Sequence, residues 1–546
     1  MGGAMQTYDG IIIGGGPNGL TVAAYMARAG LKVLVLERRM EIGGGLATEK
    51  VTIPGWIHNT HAVYHMMVDY APVFQDLELL STYKLDFVQP ELTMTMPLSD
   101  GRAVCLYNDP QKTAENFAHF SKADAQAYLD MNAHFTTLVD KFIGPATYAE
   151  AHPPMEQMAN LEKTEIGRAI KAIQEKTPLQ IVEDWFENEH VKGLMLYAAC
   201  FWGLDYDLEG LGYLVPLMIE RAAKYRLLKG GTHQLSNRIS KDIYAHGGMI
   251  LGSQLIKRIV IEGGRATGVE LEDGTVYKAT KFVASSLDPH QTFLKYVGEE
   301  HLEDDFVTRI KDWQWDTWSL NGVHLALAER PDFIAAKWNP DVNNAFVHIL
   351  GYDSYVDMID HWDAIHDGEL LPEAGFNASF PSIHDPYQAP AGMASGLLSE
   401  HAPYDLFDGG SDAWYRIREQ HADELQATLA TYAPNMQGDA IVWRYLSTPK
   451  DVSNKFLTMV KGSIKHGAYK PLQMGYLRPN EECSNNQTPI DGLYVCGANV
   501  SPGGMVTFGP GYNASNTLAR DLGIDKWWSE PEKLRQIRAT GLLGGH

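Results

Sequence analysis

The sequence predicts an α/β protein of two intertwined domains with a helical insertion, and three observations carry that expectation. The chain has 546 residues, whereas single cores stop growing near roughly 250–300 residues. A short β-branched run, a glycine turn, an Ala-rich stretch and a second apolar run follow one another within the first 37 residues. Strand-like text then gives way to a long helical region and returns after about Met249. Hydrophobic residues make up 45% and charged residues 21%, an ordinary globular balance.

Taken in order, Tyr8 to Ile13 reads as a buried parallel strand. A helix is expected from about Gly19 to Ala29, ended by Gly30, and a second strand from Lys32 to Leu36. Together they form a βαβ unit. From Asp109 to about Trp202 the pattern is helical. Asp109-Pro110 gives an N-cap followed by proline at the first helical position. Ser121 and Asp124 have capping-box spacing ahead of a periodic stretch to Phe142. Further helices are expected at Thr164 to Glu175 and Leu179 to Cys200. Leu255 to Ile261, Ala266 to Leu271 and Thr275 to Thr280 read as strands joined by the hairpin signals Gly263-Gly264 and Asp273-Gly274. Ser319 to Leu327 and Leu493 to Cys496 are further strands, and a glycine-rich turn leads to a closing helix near Asn513 to Leu522. There is no internal repeat.

The first turn carries chemistry. Gly14, Gly16 and Gly19 form G-x-G-x-x-G between a strand and a helix, with Pro17 and Asn18 inside the turn. The first glycine permits the tight turn, the second lets the backbone approach a pyrophosphate, and the third lets helix and strand pack closely. The helix N-terminus offers free N–H groups and partial positive charge to the phosphates. Glu37 ends the second strand, where an acid accepts hydrogen bonds from ribose hydroxyls. Arg38, then Gly43-Gly44-Gly45 with Leu46 and Thr48, follow the acid. This second glycine loop lets the chain run along a longer cofactor, so FAD is favoured over NAD in a Rossmann-type fold.

Three blocks of sequence resemble the phytoene desaturase-like flavoproteins, within the wider amine oxidase-like FAD superfamily. The first is Gly14 to Thr48. The second runs from Lys229-Gly230-Gly231 through Gly247-Gly248 and Ile256 to Asp273-Gly274 and Ala284-Ser285-Ser286-Leu287-Asp288-Pro289. The third runs from Asp491-Gly492 to Cys496-Gly497, then Pro502-Gly503-Gly504 and Gly509-Pro510-Gly511. The resemblance implies that the backbone of Ile256 meets adenine and that Ser285 and Gly497 belong to the cofactor shell. It implies that Asn499, Met505, Val506 and Thr507 line the N1–C2=O edge of the isoalloxazine, where a helix N-terminus stabilises the charge of reduced flavin. It also implies a discontinuous FAD-binding domain of residues 1–95, 228–300 and 470–546. A helical substrate or lid subdomain would span 96–227, and a mixed-sheet substrate-binding domain 301–469.

Neither a second G-x-G-x-x-G nor a C-x-x-C accompanies the first motif. A nicotinamide reductase needs both, so a small-molecule substrate is expected to stack on the flavin, with electrons leaving to oxygen, a quinone or another acceptor. The expected catalytic residues are His58 and His61, in a segment that also holds His65, and His324. The alternative for the histidines is a polar cavity wall. No metal is expected, although His61 and His65 are four residues apart. Trp313, Trp315 and Trp318 read as core packing or as a cavity wall, and Tyr512 and Asn513 as helix caps.

The net charge of −23 argues against nucleic acid. The four cysteines lack disulfide or zinc spacing, which fits a cytoplasmic protein. There is no candidate transmembrane segment; peripheral membrane contact and an oligomer remain open. Met1 to Gln6 reads as an extension. The expected reaction is desaturation, or dehydrogenation, of a C–C or C–N bond in a small organic or isoprenoid-like substrate by hydride transfer to flavin N5. The rivals are a redox-neutral flavin isomerase or saturase, and a non-catalytic FAD-binding partner protein.

Overall fold

The computed structural model describes residues 6–543, so most of the expected extension Met1 to Gln6 lies outside the described residues. The apolar β-branched stretch forms β1 (Gln6–Ile13), whose last four residues are buried. Helix α1 (Pro17–Arg28) follows, then β2 (Val33–Leu36). β1 and β2 are parallel, with Ile11 opposite Leu34. Gly30 sits at φ 85° directly after the helix, the left-handed conformation that ends helices at glycine.

The first sheet has seven strands. Ile256–Glu262, Arg265–Leu271 and Val276–Ser285 form an antiparallel meander across the two expected hairpins. Val276–Ser285 then runs parallel to β1. Its far end also pairs in parallel with Leu493–Val495, so the last part of the chain returns to the sheet one strand away from β1. Met249–Leu251 closes the other edge on β2.

The second sheet also has seven strands. Trp318–Leu327 lies one strand in from its edge, between Ala394–Pro403 and the edge strand Ile441–Ser447. Leu92–Pro97 joins it through Met94 opposite Val347, and Ala103–Tyr107 pairs with Leu92–Pro97. The boundary expected at residue 95 therefore falls inside a strand of this sheet. Periodicity shows that a strand exists, but not which distant strand it pairs with.

The stretch from Asp109 onward is helical, with Asp109 capping Pro110–Phe117 by accepting the Gln111 N–H. The expected single helix over Leu179 to Cys200 is two helices, Pro178–Trp185 and Glu189–Cys200. The buried Asp124 carboxylate accepts the N–H groups of Glu187 and Asn188 at 2.9 Å each, and Asn188 caps the second helix. Asp124 thus does not complete a capping box with Ser121, although Ser121 caps Lys122–Leu138 as expected.

The closing helix starts earlier than expected, at Gly509–Asp521. Its first turn crosses α1, and a Cβ on Gly511 would lie 2.5 Å from Asn18 O. Glycines that punctuate loops elsewhere are here what permits two helix ends to meet. Tyr512 and Asn513 lie inside this helix, not at its cap. Tyr512 packs edge-on against Tyr25, and Asn513 donates to the carbonyls of Thr147 and Ala149.

Candidate active site

A groove of ≈ 380 Å³ lies over the turn between β1 and α1. A chamber of ≈ 180 Å³ lies beyond it, between the two sheets, and the two share walls at Gly16, Pro17, Gly45 and Ser286.

The turn is shaped by its glycines. Gly14 has φ 94°, and a Cβ on Gly19 would stand 2.1 Å from Gly14 O. A Cβ on Gly16, by contrast, meets nothing within 4 Å, so the backbone there borders open space. Gly16 N-caps α1 with no side-chain hydrogen bond, and the first turn contains no acid. The orphan amides of this helix end are therefore available to an anion. The second glycine loop packs onto the first: Gly43 N–H donates to Gly15 O at 2.8 Å.

Glu37 lines the groove and is fixed by two main-chain donors. Gly15 N–H donates to Oε2 and Arg39 N–H to Oε1, both at 2.8 Å. Each carboxylate oxygen keeps a second lone pair. Arg38, Gly44 and Ile256 line the same groove. Arg38 also donates to Lys455 O at 2.7 Å.

Several expected residues stand elsewhere. Ser285 is fully buried, bonded to Thr292 Oγ1 at 2.7 Å. Its neighbour Ser286 reaches the groove and donates to Ile13 O and Gly14 O. In a strand the side chains alternate, so the tandem Ser285-Ser286 leaves the choice to register. Gly43, Leu46 and Gly497 back the cavity walls rather than line them. Gly497 packs on Ser286, because a Cβ there would lie 2.5 Å from Ser286 O. Asn18, Met505 and Val506 line the chamber, and Thr507 faces a separate cavity behind Met505. Asn499 is fully buried, and both its amide atoms lack partners.

Met505, Val506 and Phe508 all have positive φ, at 63°, 53° and 61°. Non-glycine residues held there cost on the order of 1–3 kcal/mol each and cluster at functional sites. These residues link the chamber wall at Met505 and Val506 to the start of the closing helix. The uncapped start of α1, the Glu37 carboxylate and the glycines where backbone must come close line one groove that opens into the chamber, and the orphaned Asn499 amide is buried behind it. These residues fit a flavin dinucleotide.

The structure brings the three expected histidines close together. His61 and His324 line the chamber, and His58 stands behind, its ring 5.6 Å from that of His324. His58 accepts or donates at Thr52 Oγ1 (2.8 Å). Burial pushes the His58 imidazole down to about 4 and pushes His61 and His324 well below their ordinary range. All three are neutral at physiological pH. His61 Nε2 and both ring nitrogens of His324 lack partners. His61 and His65 sit in extended chain, not on one helix face, and among the described residues no cluster of metal-ligating side chains is found.

Sequence reasoning missed His466, which lines both groove and chamber, and Lys465, which lines the chamber. Lys465 is buried and pairs with Asp316 at 3.0 Å. It also missed Phe201 and Trp202, which bring the helical insertion to the chamber wall. Trp313 and Trp318 are buried and pack against Arg478 and Lys465 respectively. Nothing local marks Phe201, Trp202, Lys465 or His466, whose neighbours in sequence are ordinary helix and loop residues.

Residues 12–78 match the NAD(P)-binding Rossmann-like domain family. The chain is 38% identical over 548 residues to one of the subunits of limonene dehydrogenase from Castellaniella defragrans, covering 98% of each. Among solved structures it is similar to an oxidoreductase from Methanosarcina mazei (TM-score 0.61, 16% identity, covering 94% of this chain and 99% of that one). It is likewise similar to cyclohexylamine oxidase from Brevibacterium oxydans (TM-score 0.58, 15% identity, covering 94% and 99%). The two structures share the fold.

Proposed function

Because the chain belongs to the phytoene desaturase-like family of FAD-dependent oxidoreductases, within the amine oxidase-like superfamily, we propose that it binds FAD and dehydrogenates a C–C bond of a small neutral hydrocarbon-like substrate. The observation that carries this reading is the chamber lining, which among the described residues holds no Asp or Glu and whose one charged residue, Lys465, is already paired. An ammonium substrate would enter without a counter-ion, at a large desolvation cost. A neutral apolar molecule meets Val63, Tyr64, Phe201, Leu320 and Leu397 instead.

The groove residues divide the work of holding the dinucleotide. Glu37 would receive the ribose hydroxyls, the N-terminus of α1 would face the diphosphate, and Met505, Val506 and His466 would border the ring. When bound, the flavin supplies a two-electron acceptor at N5. The chamber walls would hold the substrate in one orientation and exclude water. Loss of hydride leaves an electron-deficient carbon, which makes the adjacent C–H strongly acidic. A neutral imidazole of depressed basicity is then a sufficient proton acceptor, and it releases the proton readily. His61 and His324 are placed for this, with ring nitrogens that no protein group occupies. The substrate thus loses one hydride and one proton and gains a C=C bond. The electrons pass on to an acceptor outside the chain.

Since the relative is named a limonene dehydrogenase, a monocyclic monoterpene is the first substrate to try. Anaerobic mixing with limonene should bleach the visible band of the oxidised flavin, and cyclohexylamine should not. Bleaching by the amine alone would overturn the hydrocarbon reading.

A further inference from the structure

Arg478 lies one layer behind the chamber, and its setting is unusual for a cation. The side chain is fully buried, at 0% exposure. No carboxylate among the described residues comes within 4.0 Å of it. Its donors go to main-chain carbonyls: Nε and Nη2 to Ala498 O at 3.2 and 3.0 Å, Nη2 to Lys465 O at 2.8 Å, and Nη1 to Gln473 O at 3.2 Å. The rings of Trp313 and Tyr469 stand 5.1 and 5.0 Å from its guanidinium carbon. Asp316 is the carboxylate whose field reaches it, and Asp316 is already held by Lys465 Nζ at 3.0 Å.

Carbonyl dipoles and aromatic faces satisfy the donors of a guanidinium without cancelling its charge. Three buried ionic groups, Arg478, Lys465 and Asp316, therefore sum to one positive charge; Asp205, the next carboxylate in the field of Lys465 and Asp316, faces His366 at 3.6 Å. The carbonyls that Arg478 grips belong to the two segments that carry Lys465, His466 and Ala498 into the chamber wall. A buried charge left without a partner in the resting protein makes sense where a negative charge arrives during the reaction.

We propose that Arg478 is a positioning residue for the flavin whose uncompensated charge favours the reduced ring. The inference rests on the FAD reading above. A hydride carries two electrons and one proton, so its arrival on the neutral oxidised ring adds one net negative charge. Arg478 stabilises that charge through the Ala498 and Lys465 backbone, and no further proton or co-reactant is required.

The test is the flavin midpoint potential of the holoprotein, measured by dye equilibration, for wild type, Arg478→Met and Arg478→Lys. Arg478→Met should make two-electron reduction at least tenfold less favourable, a shift of about 30 mV to lower potential. Arg478→Lys should keep most of the wild-type potential while melting at a lower temperature, because it retains the charge and loses carbonyl contacts. An unchanged potential in Arg478→Met, or an equal fall in both variants, would show a purely structural arginine. If Arg478→Met does not fold, the wild-type holoprotein decides: its reduced flavin should stay anionic from pH 8 down to pH 5. Uptake of a second proton as in free reduced flavin would overturn the proposal. Protein that takes up no flavin would overturn the cofactor reading instead, so the two failures are distinct.

Discussion

Replacing Glu37 by Gln separates the ribose acid from the rest of the cradle. The wild-type carboxylate accepts Gly15 N–H and Arg39 N–H at 2.8 Å, one on each oxygen. Glutamine keeps one acceptor and turns an NH₂ group toward the other amide. One charge-assisted bond, worth roughly 1.5–3 kcal/mol, is lost and its donor is left facing another donor. The same NH₂ cannot accept from a ribose hydroxyl on that side. Loss of the ribose bond to a charged acceptor, about 1.5–3 kcal/mol, corresponds to roughly 10- to 160-fold weaker binding. The assay is quenching of FAD fluorescence on titration into apoprotein, with circular dichroism as a control for folding. Glu37→Asp should fall between the two, since it keeps the charge at shorter reach. A dissociation constant for Glu37→Gln within threefold of wild type would refute the assignment of the acid to the cofactor.

Gly19→Ala places a methyl 2.1 Å from Gly14 O, so the variant should be purified largely free of flavin, as its absorbance ratio would show. His324→Leu should cost less than about 1 kcal/mol in denaturant unfolding, because neither ring nitrogen has a partner to strand. It should nevertheless slow substrate-driven flavin reduction at least tenfold in stopped flow. Stability should fall on both sides of neutrality in thermal melts. His58, His65 and His466 are held near about 4 by burial, so the unfolded chain binds their protons first, and each removes at most about 3 kcal/mol as pH drops from 6.5 toward 4. His421, raised to about 9 chiefly by Glu400 against the opposing effect of burial, contributes fully below pH 6.5 and loses its contribution as pH rises toward 9. A melting temperature flat from pH 5 to 9 would contradict both assignments.

The sequence by itself determined the glycine turn and the acid of the groove. Gly14, Gly16, Gly19 and Glu37 act through backbone conformation and short-range spacing, and both are written locally in the chain. The hairpins at Gly263-Gly264 and Asp273-Gly274 were legible for the same reason. Tertiary structure alone decided the rest. It chose Ser286 over Ser285 by strand register. It divided residues 178–200 into two helices through an acid some 60 residues away in the chain. It drew Lys465, His466 and Arg478 to the chamber from a loop without regular pattern, by ion pairs and carbonyl bonds to partners as distant as Asp316 and Ala498. Periodicity reports which face of an element is apolar. It carries no term for which buried faces meet, and in this fold the chamber is made where two sheets and a helical insertion, distant in sequence, close on one another.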